Sequence, residues 1–155
     1  MTDAPSIEEL LPQRPPMVLI SGYRPGTPEE VAEAWVDVTP SSPFYEEELG
    51  GVPPCVALEY MAQTMALCIG MRRRRMGLAP KLGFVLGSRR FTTSLPFFRN
   101  GGRYDVRSVC TYQDESFGSF DCRVSDPSGR TVAEAVMTAF QPEGDLTPEA
   151  LEAFA

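Results

Sequence analysis

One carboxylate stands out inside an apolar stretch of the chain. Glu59 lies in "VPPCVALEYMAQTMALCIGM", where nearly every neighbour is apolar. A carboxylate on an apolar wall loses hydration, and this is one way in which enzymes obtain acid and base catalysts near neutral pH. Gln63 follows one helical turn later and can hydrogen-bond the carboxylate and orient it. The alternative role is an acid that stabilises the amino-terminal end of the helix dipole, and the residues alone leave both open.

The histidine and cysteine content limits the kinds of catalytic and metal sites that the chain can form. The chain has no histidine, so the usual general base near neutral pH is absent. Its four cysteines show no C-x-x-C spacing, and we therefore expect neither a metal site nor a cofactor. In a reducing compartment they are expected to be free thiols packed as small apolar side chains; they are Cys55, Cys68, Cys110 and Cys122.

The composition is that of a globular protein. With 155 residues, 43% hydrophobic and 23% charged, the chain is expected to form a single domain over residues 1–155. The net charge of −7 disfavours nonspecific binding to nucleic acid. The start "MTDAPSIEELLPQ" lacks the features of a signal peptide, and the uninterrupted apolar run is too short for a bilayer. We therefore expect a cytoplasmic protein with no membrane span.

The segment before the apolar stretch predicts a short helix and two strands. Ser6 and Glu9 form a capping-box pattern that opens a helical turn, which Pro12 should end. "PMVLISGY" is typical of a buried strand and "EEVAEAWVDV" of a half-buried one, joined in a hairpin around "RPGTP". The loop "TPSSPFYEEELGGVPP" then leads to the helix.

The second half of the chain predicts a long helix followed by strands. About twenty residues between Pro54 and Gly77 are apolar on nearly every side, which is typical of a helix buried all round. A shorter strand interrupted at Gly87 and three long strands follow, and a terminal helix with Thr147 as its cap ends the chain. Because strands and helices do not alternate, we expect the α+β class, an antiparallel sheet around one helix.

Three stretches carry a resemblance to a known family. "IEELLPQRPPMVLI", "VPPCVALEYMAQ" and "GFVLGSRRF" resemble the hot-dog-fold 3-hydroxyacyl-acyl-carrier-protein dehydratases, and more closely their dehydratase-like subgroup in aryl polyene clusters. The resemblance implies a curved sheet wrapped around the helix, in a homodimer or a heterodimer with a related hot-dog subunit. It also implies an acyl thioester substrate, carried by acyl carrier protein or coenzyme A, that loses water in fatty acid or polyene biosynthesis.

The resemblance assigns roles to residues at the site. At two of these positions the chain departs from the pattern of the family. Glu59 matches the family's acid, but Gln13 in "LPQRPP" replaces the histidine that faces this acid across two subunits. Gln13 cannot act as a base near neutral pH. Pro54 replaces a glycine whose N–H polarises the thioester carbonyl, which leaves the amides of Cys55 and Val56. The open alternatives are an altered dehydratase, a non-catalytic partner subunit, or a thioesterase that uses one carboxylate.

Three further sets of residues can be interpreted either as structural or as functional. Arg72 to Arg75 end the helix as a solvated cluster or meet the acidic carrier and its phosphates, to which Arg89 or Arg90 could add. Gly87 marks a bulge or a close approach of ligand to the backbone. Four phenylalanines and two methionines are predicted to pack in the core rather than to line an acyl tunnel, namely Phe84, Phe91, Phe97, Phe98, Met61 and Met65. Phe44 and Tyr45, in the loop before the helix, are candidates for lining the entrance.

Overall fold

The computed structural model describes residues 3–81 and 83–142, apart from the side chain of Phe84. The predicted terminal helix at Thr147 lies outside these residues. Two helices, a 3₁₀ turn over Pro54–Val56 and eight strands follow one another. They are α1 (Ile7–Leu10), β1 (Gly22–Tyr23), β2 (Val31–Asp37), β3 (Gly51–Val52), α2 (Ala57–Arg75), β4 (Phe84–Thr93), β5 (Phe98–Arg99), β6 (Arg103–Gln113), β7 (Phe117–Ser125) and β8 (Thr131–Phe140).

Six of the strands form one antiparallel sheet in the order β1-β2-β6-β7-β8-β4, while β3 pairs with β5. The long helix α2 packs on the central strands of this sheet. This arrangement confirms the predicted α+β class with one central helix. The connection from β7 to β8 is the predicted "DPSG" turn, in which the N–H of Gly129 donates to Asp126 at 2.9 Å and Gly129 has a φ of 87°.

The sheet buries one face because its sequence alternates. In β6, the side chains of Tyr104, Val106 and Ser108 are buried, whereas Arg103 and Arg107, which alternate with them, are exposed. The other strands add further apolar side chains to the same face, among them Ala34 and Val36 of β2, Phe120 and Val124 of β7, and Ala133, Ala135 and Met137 of β8. This face packs against α2 and forms the core.

Helix α2 confirms the predicted long helix and its end. The N–H of Leu78 donates to the carbonyl of Arg73 at 2.9 Å, the N–H of Gly77 donates to that of Arg74 at 3.0 Å, and Gly77 has a φ of 74°. This is a Schellman motif, which satisfies the last carbonyls. The prediction that α2 is buried on every side was wrong, because one stripe of the helix is only partly buried in the single chain. The stripe contains Leu58, Ala62, Ala66 and Ile69.

The strand predictions need two corrections. In "PMVLISGY" only Gly22 and Tyr23 join the sheet, because the N–H of Leu19 donates instead to the side chain of Gln63 at 2.8 Å. β4 is not the shorter strand, since it spans ten residues. Its register shifts between Val85 and Gly87, which agrees with the bulge reading of Gly87. The short strands β3 and β5 were not predicted, because two residues are too few to show a period.

The predicted capping box and hairpin of the amino-terminal part are confirmed. Ser6 accepts a hydrogen bond from the N–H of Glu9, and the Glu9 carboxylate accepts one from the N–H of Ser6, so the capping box is complete. The hairpin around "RPGTP" is also present, with the N–H of Arg24 donating to Glu33 at 2.8 Å. Helix α1 packs on α2 at Gly70.

Candidate active site

Glu59 lies in the first turn of α2 and lines a cavity of about 330 Å³. The cavity runs along the partly buried stripe of α2. Residues of three parts of the chain line it, namely Leu10, Pro12 and Gln13 before β1, Glu59, Ala62, Met65, Ala66, Ile69, Gly70 and Arg73 of α2, and Lys81, Gly83, Val85, Ala139 and Gln141 beside β4 and β8. The cavity therefore joins one carboxylate, one amide, two cations and a mostly apolar wall.

Gln63 holds the carboxylate and the segment before β1 together. Its side chain is fully buried. Its Nε2 donates to Oε1 of Glu59 at 3.0 Å and to the carbonyl of Met17 at 2.7 Å, while its Oε1 accepts from the N–H of Leu19 at 2.8 Å. One buried amide thus directs Glu59 and ties residues 17–19 to α2.

Gln13 presents an acceptor that has no donor. Its Oε1 is buried and makes no hydrogen bond within the described residues. The turn that carries it is ordered by Arg14, whose guanidinium donates to the carbonyls of Leu11 and Gln13, each at 2.9 Å. An unpaired buried acceptor is unfavourable and rare, so the cavity is suited to a ligand or partner that brings a donor.

Two cations line the cavity, and Arg73 lies towards the end away from Glu59. From Glu59 to Arg73, α2 rises by about 21 Å at 1.5 Å per residue. Nε of Arg73 donates to the carbonyl of Ala79 at 2.6 Å, and Nζ of Lys81 donates to the carbonyl of Pro142. Both side chains are therefore held by the backbone that surrounds the cavity. The arrangement can take an elongated ligand that is apolar along its length and anionic at one end.

The four arginines that end α2 differ in their contacts. Arg72 donates to Oε1 of Gln113 at 2.8 Å, and Arg74 lies 3.7 Å from the carboxylate of Glu9. Of the four, only Arg73 lines the cavity. Arg90 lines a different cavity, on the outer face of the sheet.

Several predicted site residues do not line the Glu59 cavity in the single chain. Cys55 is exposed, and the N–H of Val56 already donates to the carbonyl of Pro53 at 3.1 Å. Gly87 is exposed, with open space where a side chain would begin. Phe44, at the predicted entrance, is 53% exposed and has a φ of 67°. The roles given to these residues in substrate binding stay predictions.

Gln13 and Glu59 line the same cavity of one chain. The resemblance implied that the corresponding residues meet across two subunits. Of the aromatic and methionine side chains, Met61 and Phe98 are buried in the core, and Met65 is in the core and also lines the cavity. Lys81, Val85 and Gln141 had no signal in the sequence, because they reach the cavity only through the folding of distant segments.

The family model for the ApeP-like proteins, described as ApeP dehydratase, matches residues 5–151. The chain belongs to the ApeP-like family. This match confirms the predicted resemblance to the dehydratase-like subgroup of aryl polyene clusters. No curated protein sequence matches the chain significantly.

Solved structures confirm the hot-dog fold of this ApeP-like chain. It is 27% identical to a chain of the dehydratase heterocomplex ApeI:P from Xenorhabdus doucetiae, with 98% of each chain covered and a TM-score of 0.87. An HP0420 homologue from Helicobacter felis has 12% identity, coverage of 94% and 96%, and a TM-score of 0.68. A hypothetical thioesterase with coenzyme A from Streptococcus pneumoniae TIGR4 has 15% identity, coverage of 83% and 91%, and a TM-score of 0.60. The last two likenesses show the fold alone.

Among the described residues, no helix is long and apolar enough to cross a membrane.

Proposed function

We propose that this chain binds 3-hydroxyacyl thioesters and eliminates water from them, with Glu59 as the acid-base group. The observation that carries the proposal is the cavity in which an oriented carboxylate and the unpaired acceptor of Gln13 share an apolar wall. Membership of the ApeP-like dehydratase family supports the same reaction class.

A single carboxylate can carry both proton transfers of the elimination. Glu59 removes the proton from C2 of the 3-hydroxyacyl thioester, the electron pair of that C–H bond forms the C2–C3 double bond, and the C3–O bond breaks. The proton on Glu59 then passes to the departing hydroxyl. Water and the enoyl thioester leave, and Glu59 is a carboxylate again.

Gln13 positions the hydroxyl that leaves. Its Oε1 accepts a hydrogen bond from the 3-hydroxyl group, which supplies the donor that the buried oxygen lacks in the free chain. Gln13 transfers no proton, because a neutral amide has no useful proton affinity near pH 7. Arg73 and Lys81 give the same cavity two cations for the phosphate of an acyl carrier protein arm or of coenzyme A.

A second candidate is a partner subunit that completes its site with a related hot-dog chain. β4 is an edge strand, residues 85–90 are exposed, and the apolar side chains of Val85 and Leu86 are 47% and 57% exposed. Such an edge is suited to pairing with a second sheet. Val85 also lines the Glu59 cavity, so a chain paired there would close one wall of it. The 27% identical relative was solved as a heterocomplex, which favours this candidate.

The experiment incubates the purified chain with 3-hydroxyacyl and saturated acyl thioesters, and follows enoyl product and free thiol. We expect enoyl product, and a fall in kcat/KM of at least about 100-fold in Glu59→Gln. Gln13→Ala should lower kcat/KM about tenfold, because the hydroxyl loses its acceptor. Glu48→Gln is the matched control, because Glu48 is exposed and does not line the cavity.

The other outcomes separate the alternatives. Thiol release without enoyl product would identify a thioesterase and overturn the proposal. No product from the chain alone, with dehydration when a histidine-bearing hot-dog relative is added, would identify the partner subunit. Gln13→His should increase dehydration by the chain alone if Glu59 is well placed for C2.

A further inference from the structure

A second cavity, of about 480 Å³, lies on the face of the sheet that points away from α2. Three guanidinium groups line it, from Arg90 of β4, Arg107 of β6 and Arg123 of β7. We call this cavity the arginine cleft. Arg107 lies between buried Val106 and Ser108, so strand alternation places it on the face opposite the core. The arginine cleft and the Glu59 cavity therefore lie on opposite faces of the sheet.

The strand register sets two of these arginines directly opposite each other. Arg107 and Arg123 are partners in the β6–β7 ladder. Like charges in this relation destabilise a sheet. Arg107 has a counter-ion, since its Nε lies 3.4 Å from the carboxylate of Glu33. Among the described residues, no carboxylate lies within ion-pair distance of Arg123. Arg123 therefore faces Arg107 without an ion pair of its own among the described residues.

A bulge turns the third arginine to the same face. On β8, one residue separates Val136 from Glu134, but on β4 two residues separate their partners Arg89 and Thr92. One of these two is Arg90, which has a φ of 57°. This conformation is unfavourable for a long side chain, and strained residues of this kind cluster at functional sites. Arg89, the residue before it, faces outward. Without the bulge, strict alternation would place Arg90 on the opposite face of the sheet, towards the core.

The carboxylates that line the cleft are not paired with its arginines. Asp121 and Glu134 also line it, and Glu134 is the ladder partner of Arg123. Within the part of the chain that the structure describes, neither carboxylate forms an ion pair with an arginine of the cleft. Glu33 pairs with Arg107, so Arg90 and Arg123 are the two guanidinium groups of the cleft without an ion pair among the described residues. A guanidinium presents a planar fork that matches phosphate oxygens.

We propose that the arginine cleft binds an oxyanion of the phosphate class, either free phosphate or a phosphoester. Bound between Arg107 and Arg123, the anion replaces their repulsion by two attractive contacts, and Arg90 supplies a third. This site is separate from the proposed dehydratase site and does not depend on it.

The test is calorimetric titration of the full chain with inorganic phosphate and with adenosine 5′-monophosphate, at an ionic strength kept constant with chloride. We expect saturable binding with one site per chain. Arg123→Gln should weaken it about tenfold or more, and Arg90→Gln should also weaken it. Arg75→Gln is the matched control, because it removes the same charge from an exposed arginine outside the cleft. Tighter binding of the nucleotide would assign the site to a phosphoester, and equal affinities would assign it to phosphate itself.

Thermal unfolding gives a second test, because the Tm of Arg123→Gln relative to that of the wild type should differ between phosphate-free buffer and phosphate. In phosphate-free buffer, Arg123→Gln should raise Tm by up to about 3 °C, because it relieves the repulsion with Arg107. In phosphate, the wild-type Tm should rise, and that of Arg123→Gln should rise less at the same phosphate concentration. Absence of saturable binding, or an equal loss of binding in Arg75→Gln, would overturn the proposal. So would a lower Tm of Arg123→Gln in phosphate-free buffer.

Discussion

At the scale of single residues, the amide of Gln63 organises the candidate active site. Its three hydrogen bonds connect Glu59 to the backbone of Met17 and Leu19. An apolar residue of the same size would leave the buried N–H of Leu19 and the part-buried carbonyl of Met17 without partners. Each such group costs about 1–3 kcal/mol. Gln63 is therefore expected to be a positioning residue and also a contributor to stability.

Gln63→Leu tests this double role. We expect the free energy of unfolding to fall by about 1–3 kcal/mol in urea titrations, because the buried N–H of Leu19 and the part-buried carbonyl of Met17 lose their partners. The variant should also dehydrate more slowly, since Glu59 loses the bond that orients it. Thr64→Val is the control, because it removes a buried hydroxyl whose one bond, to Tyr60 at 2.8 Å, is local to the helix. Equal destabilisation by both variants would contradict the role given to Gln63.

At the scale of elements, the packing of α1 on α2 positions Gln13. A Cβ added to Gly70 would lie 2.2 Å from the carbonyl oxygen of Leu10. Only glycine permits this approach, and the backbone of α1 has no freedom to give way without moving the segment after it. Leu10, Pro12 and Gln13 all line the Glu59 cavity. The glycine in the middle of α2 therefore sets one wall of the site.

Gly70→Ala should destabilise the protein, although alanine is favoured over glycine inside a helix by about 1 kcal/mol. The clash with Leu10 outweighs this gain, and the displaced α1 should lower dehydration as well. Urea unfolding measures the first effect and the thioester assay the second. Gly87→Ala is the control for stability, because no atom lies within 4 Å of its Cβ position. A more stable Gly70→Ala variant would show that α1 moves away without cost.

At the scale of the whole molecule, the core contains ionisable groups that are buried in their neutral form. Burial raises the pKa of the Cys68 thiol from 9.0 to about 12 and that of the Cys122 thiol to about 11. It also raises the pKa of Tyr60 above its ordinary value of 10.0. Below pH 9 both the folded and the unfolded states keep these protons. Above it the unfolded state releases them first, so the stability of the fold falls as pH rises.

This linkage predicts alkaline unfolding. Between pH 9 and about pH 11, the free energy of unfolding should fall by about 1.4 kcal/mol per pH unit for each buried thiol. Urea titrations across this range measure the slope. Cys68→Ala should reduce the slope, although it also lowers stability at neutral pH. Cys55→Ala is the matched control, because this thiol is exposed and its removal should leave the slope unchanged. A wild-type stability that is constant up to pH 11 would contradict the prediction.

The sequence by itself determined the features that depend on neighbours along the chain. The hydrogen bond from Gln63 to Glu59 follows from their spacing of four residues on a helix, and the capping box of Ser6 and Glu9 follows from their spacing of three. The alternation in β2 and β6 indicated which face is buried, and the motifs around Gln13 and Glu59 indicated the family. Local periodicity is sufficient for these features, because each involves a single element.

Only the tertiary structure decided which distant segments meet. Lys81, Val85 and Gln141 join Glu59 because the sheet folds around α2, and no local pattern contains this information. The same holds for the opposition of Arg107 and Arg123, which depends on the register of two strands, and for Arg90, which a bulge turns to their side. The short β1 is a further case. The stretch "PMVLISGY" predicted a longer strand, but the side chain of Gln63 in α2 binds the backbone N–H of Leu19, and only Gly22 and Tyr23 pair in the sheet. Long-range pairing is selected by the packing energy of the complete fold, which no single segment expresses.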